Sequence, residues 1–165
     1  MACTKVLTPD ETVDTSDGVS LGAAGLADLV PLVALDRLCF RADAWPAGAW
    51  RDAVAEPGWV TVVLRRSGTI VAASALLVGG GPASLASLAV HPDHRRRGYG
   101  RRLLRDAIAR ARAAGAAWLT LEVDAANLHA RRLYRGEGFG VLRRFREDGR
   151  WRLEMVRRLE ASRGR

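Results

Sequence analysis

The chain has 165 residues, 48% of them hydrophobic, which suits one domain with a proper core and argues against global disorder. Its formal net charge is +8, and of its 26 basic residues only Lys5 is a lysine, a bias read mainly as compositional. No apolar run approaches transmembrane length and the N-terminus lacks the basic start and apolar core of a secretory signal, so a cytoplasmic protein is expected.

The charge is unevenly spread. Residues 91–112 carry eight arginines against two acids, and residues 131–165 carry twelve against five. A basic chain can serve nucleic acid, a membrane surface or an anionic ligand. The first cluster falls at a helix start, which favours a compact polyphosphate. The second lies over alternating, strand-like sequence with no aromatic-rich RNA-binding strand or recognition helix, so nucleic acid is not the favoured partner. Cys3 and Cys39 form no CxxC pair and adjoin no histidine cluster; they read as a free thiol in a tail and a buried thiol on a helix.

In chain order, residues 1–17 lack periodicity and are expected as a mobile tail, with one domain over residues 18–160. Val19-Ser20-Leu21 is expected as a short first strand. Leu29, Leu32, Val33, Leu35, Asp36, Leu38 and Cys39 give Ala27–Phe40 the spacing of an amphipathic helix, with Pro31 near its start. Trp45-Pro46 opens a second helix, Ala47 to Ala55, closed by Glu56-Pro57-Gly58. Trp59–Arg66 and Thr69–Val78 are strands joined by Ser67-Gly68, a hairpin turn. Leu85 to Val90 reads as a strand buried on both faces, and Ala117–Val123 as another central strand. Leu103, Leu104, Ala107, Ile108 and Ala111 mark the helix between them, which Gly115 ends. Asn127 caps a helix over Leu128–Arg135. Val141–Arg146 and Arg150–Arg158 flank the turn Asp148-Gly149. The order β-α-α-β-β-β-α-β-α-β-β describes a single α/β layer structure of mixed type.

One stretch carries chemistry. After the strand ending at Val90, Pro92 removes a donor and a basic turn follows, Arg95-Arg96-Arg97-Gly98-Tyr99-Gly100-Arg101, at the start of the long helix. The first turn of a helix offers unpaired N–H groups and partial positive charge, both suited to a phosphate. Gly98 and Gly100 would let a pyrophosphate close to the backbone, and arginines supply forked donors. A third glycine, as in dinucleotide loops, is missing, and so is the Gly-Lys-Ser/Thr ending of a P-loop.

Arg95-x-x-Gly98-x-Gly100 directly after Leu88-Ala89-Val90-His91-Pro92 resembles the acetyl-CoA signature of the GCN5-related N-acetyltransferase (GNAT) superfamily. Leu121-Glu122-Val123, then Asn127-x-x-Ala130-x-x-Leu133-Tyr134, then Gly138-Phe139, is similar to the second half of that domain. The match is closest to bacterial enzymes that acetylate the N-terminal alanine of a ribosomal protein, and it runs from about Leu26 through Arg146. The resemblance implies a central twisted mixed sheet, splayed between the strands at 84–90 and 117–123, with helices on both faces. It implies acetyl-CoA as cosubstrate. Pantetheine would bond the backbone of Leu88, Ala89 and Val90 like an added strand, and the pyrophosphate would rest on Arg96–Gly100 with Arg95, Arg97 and Arg101 around it. Asn127 would touch the pantetheine arm.

The chemistry requires a base for the ammonium, stabilisation of an oxyanion and an acid for the departing thiolate. By the same resemblance Tyr134 is the acid, since a phenol with a reference pKa of about 10 stays protonated at neutral pH. Its alternative is simple packing beside Leu133. Glu122 is the candidate base, against the alternative of a strand carboxylate paired with an arginine. Ser84–Val90 contains no acid, which excludes a base on that strand. Asp124 is expected to face away from Glu122, and His91, His94 and His129 to be loop or surface residues. Arg143-Arg144-Phe145-Arg146 stands where the ribosomal-protein enzymes carry a tyrosine pair near the substrate terminus. The expected reaction is acetyl transfer to a primary amine, of a protein N-terminus or a small molecule, by a monomer or homodimer. A non-catalytic acyl-CoA-binding module is the reading that Glu122 and Tyr134 together disfavour.

Overall fold

The computed structural model describes residues 13–15 and 18–159. Its elements are β1 (Val13–Thr15), β2 (Val19–Ala23), α1 (Leu29–Phe40), α2 (Ala47–Ala55), β3 (Trp59–Arg66), β4 (Thr69–Leu77) and β5 (Ala83–Val90), then α3 (Tyr99–Ala113), β6 (Trp118–Asp124), α4 (Leu128–Gly136), β7 (Gly140–Glu147) and β8 (Arg150–Arg158). From Val19 onward this is the expected order. Within the stretch expected as a tail, Val13–Thr15 pairs antiparallel with β2; the rest of residues 1–17 lies outside the described residues. Among the described residues no helix is long and apolar enough to cross a membrane.

Local chemistry accounts for most of these boundaries. Ser67 and Gly68, and again Asp148 and Gly149, have positive φ at both turn positions, as two-residue hairpin turns require. Gly115 lies at φ +79°, and its N–H bonds Arg112 O while Ala116 N–H bonds Ala111 O, so α3 ends in a Schellman turn. In α1, Leu32, Val33, Leu35 and Asp36 are buried, but Leu38 faces solvent, contrary to the amphipathic reading.

The strands form one sheet in the order β1-β2-β3-β4-β5-β6-β8-β7, antiparallel except for β5 and β6. Helices cover both faces. Leu32, Val33, Leu35, Trp50 and Ala53 of α1 and α2 pack on Val63, Ala73, Ala75 and Ala89. On the other face Leu104, Ala107, Ile108 and Ala111 of α3, with Tyr134 of α4, pack on Leu76, Leu85, Leu119, Leu121 and Val123.

Two irregularities shape the middle of the sheet. Ala75 pairs with Ser87 but Leu76 pairs with Leu85, which leaves Ala86 as a bulge residue on β5. Leu85 and Ala89 are four apart and would share a face on a regular strand. The bulge sends Leu85 to the α3 side and Ala89 to the α1 side. Burial of β5 on both faces therefore holds for Leu85, Ser87 and Ala89, while Ala86 is exposed. The second irregularity is that β5 and β6 pair only at Ala83–Leu119, Ser84–Thr120 and Leu85–Leu121. Beyond Leu85 the two strands part, and the sheet opens.

Candidate active site

The opening is lined on one side by backbone. His91 N–H donates to Val71 O at 2.9 Å, which sets the alternation of the β4–β5 ladder. Ala89 and Ser87 turn their polar groups to β4, so Leu88 and Val90 turn theirs to the unpaired edge. Val90 O accepts from Cys39 Sγ at 3.3 Å and from Arg95 Nε at 3.2 Å, as that direction demands. The N–H and C=O of Leu88 and the N–H of Val90 lie on the edge where a further strand would bond.

The turn that follows places a helix start beside this edge. Gly98 is the N-cap of α3 at φ +81°, in the left-handed region, with no side-chain cap. Among the described residues nothing accepts from the N–H groups of Tyr99, Gly100 and Arg101, the unpaired donors of a first helical turn. Arg96 also has positive φ, at 62°, an uncommon conformation for a non-glycine residue. A Cβ at Gly100 would meet Leu133 Cδ2 at 3.4 Å and Val90 Cγ2 at 3.6 Å, ordinary contact distances, so α3 lies close on β5 and α4 at this point. Arg96 and Arg97 are exposed. Arg95 ties the turn to the end of β5, and Arg101 pairs with Glu137 at 3.3 Å, a carboxylate it shares with Arg105.

Tyr134 and Asn127 come from α4. Asn127 Oδ1 accepts Ala130 N–H at 3.1 Å, as the cap reading expected, which leaves its amide N–H groups for another acceptor. Tyr134 is only 7% exposed, with its ring centroid 6.1 Å from that of Phe139. Burial pushes its phenol up to about 12. At neutral pH it holds its proton.

Glu122 lies on the opposite face from Tyr134. Leu119, Leu121 and Val123 of β6 point into the core with Tyr134, so Thr120, Glu122 and Asp124 point to the α1–α2 side. The expectation that Asp124 faces away is thus corrected: residues two apart on a strand share a face. Asp124 is met by Arg150 Nη1 at 3.7 Å, and Arg150 also donates to Asp43 in the α1–α2 connection. Glu122 Oε2 lies 3.7 Å from Arg152 Nη2. Arg143 donates to Glu154, and Arg152 Nε lies 3.2 Å from Glu147 Oε2. Each of the four acids that β6, β7 and β8 present to this face, Glu122, Asp124, Glu147 and Glu154, thus meets an arginine, with Arg152 serving two of them.

Residues 30–139 match the acetyltransferase (GNAT) family. The chain belongs to it. The ribosomal-protein-S18-alanine N-acetyltransferase of Escherichia coli has the same fold at TM-score 0.79 and 26% identity, over 88% of this chain and 96% of that one. NAA60 of Arabidopsis thaliana, in complex with a bisubstrate analogue, aligns at TM-score 0.76 and 16% identity, over 87% and 99%. YncA of Salmonella typhimurium, a putative acetyltransferase with its cofactor acetyl-CoA, aligns at TM-score 0.71 and 19% identity, over 89% and 97%. No curated protein matched by sequence. As a GNAT enzyme the protein is an acyltransferase with acetyl-CoA as its cosubstrate. The unpaired edge at Leu88 and Val90 and the uncapped start of α3 are donor sets that suit such a molecule: amides for an amide-bearing arm, N–H groups and arginines for a diphosphate.

Two functional features were missed by sequence reasoning. One is which arginine meets which acid: an arginine partner for Glu122 was the alternative reading, but naming Arg152, and the pairs of Arg143 and Arg150, needed the strand order. The other is Asp36, 1% exposed, whose carboxylate accepts Trp45 N–H at 2.6 Å and fixes the α1–α2 connection beside the site. Burial pushes its carboxyl up, opposed by that N–H and by the Trp50 indole, which faces it without a formed hydrogen bond. A lone acid among the apolar residues of α1 was the available signal.

Proposed function

We propose that this GNAT enzyme acetylates a primary amine, specifically the N-terminal α-amine of a protein or peptide, with Glu122 as base and Tyr134 as acid. The observation that carries the reading is the opening between β5 and β6, with Tyr134 on one face of the sheet and Glu122 on the other. A thioester and an amine reaching this opening from opposite faces would meet between the two side chains.

Acetyl-CoA supplies the acetyl group as a thioester. In this reading the N–H of Leu88 and of Val90 bond the pantetheine arm, and the N–H groups of Tyr99, Gly100 and Arg101 hold the pyrophosphate with Arg96 and Arg97. The Asn127 side-chain amide donates to the same arm. Glu122 takes a proton from the ammonium, directly or through water, and the freed nitrogen bonds the acetyl carbon. As the carbon–sulfur bond breaks, Tyr134 gives its proton to the sulfur. Its high affinity for that proton keeps it loaded at neutral pH and lets it recover one from solvent afterwards.

The peptide acceptor is supported by the likeness to the alanine N-acetyltransferase of Escherichia coli. The test is a panel assayed with labelled acetyl-CoA: peptides with free α-amines, the same peptides blocked at the N-terminus, and small monoamines and diamines. Label on the free peptides only is the expected result. Label on small amines alone would replace the acceptor, and failure to bind CoA would overturn the whole reading.

A further inference from the structure

Glu122 stands directly opposite Glu154 in the β6–β8 register. Like charges facing each other across a ladder repel, and left alone one of them would swing away. Glu154 is engaged by Arg143, its register partner on β7. Arg143 senses the Glu122 charge as well, but its bond is to Glu154. Asp124, opposite Arg152 in register, is engaged by Arg150, which also holds Asp43. Among the described residues that leaves Arg152 as the only cation in contact with Glu122, at 3.7 Å.

Arg152 is well placed to hold a carboxylate still. Its side chain is 22% exposed against 45% for Glu122, and it sits between Glu122 of β6 and Glu147 of β7. Its Nε is buried and lies 3.2 Å from Glu147 without an aligned hydrogen bond. At 3.7 Å the contact with Glu122 is an ion pair, not a hydrogen bond. It restrains the carboxylate and leaves its lone pairs open to accept a proton.

We propose that Arg152 is a positioning residue, which holds the Glu122 carboxylate in one orientation beside the like charge of Glu154. This rests on the reading of Glu122 as base. The test is a double-mutant cycle in the full chain, using the amine of the panel above that turns over fastest. Arg152→Gln should lower kcat about tenfold, as loss of orientation does, with the KM for acetyl-CoA and the melting temperature unchanged. Arg152→Lys should recover most of the loss. In a Glu122→Gln background, Arg152→Gln should cost nothing further. If Gln lowers the melting temperature, the cycle is run with Arg152→Lys, where a smaller loss that again vanishes without Glu122 is expected. Equal losses in both backgrounds would overturn the proposal and leave Glu122 as base. A Glu122→Gln enzyme of normal kcat would overturn the base reading, and this proposal with it.

Discussion

The Cys39 thiol and the Arg95 guanidinium share one acceptor, the Val90 carbonyl oxygen, at 3.3 and 3.2 Å. The end of α1, the basic turn and the last residue of β5 are thereby tied at the mouth of the opening. Burial pushes the Cys39 thiol up, and Arg95 offsets this only in part. Since the thiolate is the reactive form, Cys39 should be alkylated by iodoacetamide at pH 7.5 more slowly than a free thiol such as N-acetylcysteine. A Cys3→Ser background isolates its rate. Alkylation as fast as the free thiol would place the group in a different environment.

Tyr134→Phe should lower kcat by roughly 10- to 1000-fold and leave CoA affinity close to normal, as loss of a positioned acid does. A phenol that titrates at about 12 gives no basic limb to kcat below pH 10. The folded value lies above the unfolded value of about 10, so the associated stability is complete below pH 10 and is lost as pH rises toward 12. Melting curves across that window check the sign. In the Phe variant this part of the alkaline destabilisation should be gone.

Gly98 and Gly100 should respond differently to substitution. At Gly98 a Cβ meets nothing within 4 Å, but φ is +81°, so Gly98→Ala should cost about 1–2 kcal/mol through strain alone. At Gly100 the backbone is unstrained, but valine would press on Leu133 and Val90, a cost of about 1–3 kcal/mol from overpacking. Gly100→Val should therefore lose thermal stability together with CoA affinity. Intact stability with lost affinity would show instead that the added bulk meets the pyrophosphate directly.

Asp36 holds Trp45 N–H from a fully buried position. Asp36→Ala leaves that N–H without its acceptor and should destabilise by about 1–3 kcal/mol. Asp36→Asn keeps a carbonyl oxygen and removes the ionisable group. Because the folded carboxyl lies above its ordinary value, its stabilising share is complete below the unfolded value of about 4 and is lost as pH rises through the folded one. As pH rises through that folded value the parent loses this share and the Asn variant does not, so the difference in melting temperature should move in favour of the Asn variant. A loss equal to that of Ala would assign the charge itself a stabilising role.

Short-range chemistry was legible without the fold. The turns at Ser67-Gly68 and Asp148-Gly149, the Gly115 helix end and the Asn127 cap each depend on a few neighbouring residues, and all occur where the residue types place them. The wording around Arg95–Gly100 and Asn127–Tyr134 was enough to reach the family. That Glu122 and Asp124 share a face also follows from the two-residue period of a strand. The tertiary structure alone decided the bulge at Ala86, the three-residue pairing of β5 with β6, and the return of β8 between β6 and β7. These depend on partners far along the chain, and no local pattern specifies which strand a given strand will meet. They are also what opens the sheet beside Leu88 and Val90 and sets Arg152 next to Glu122.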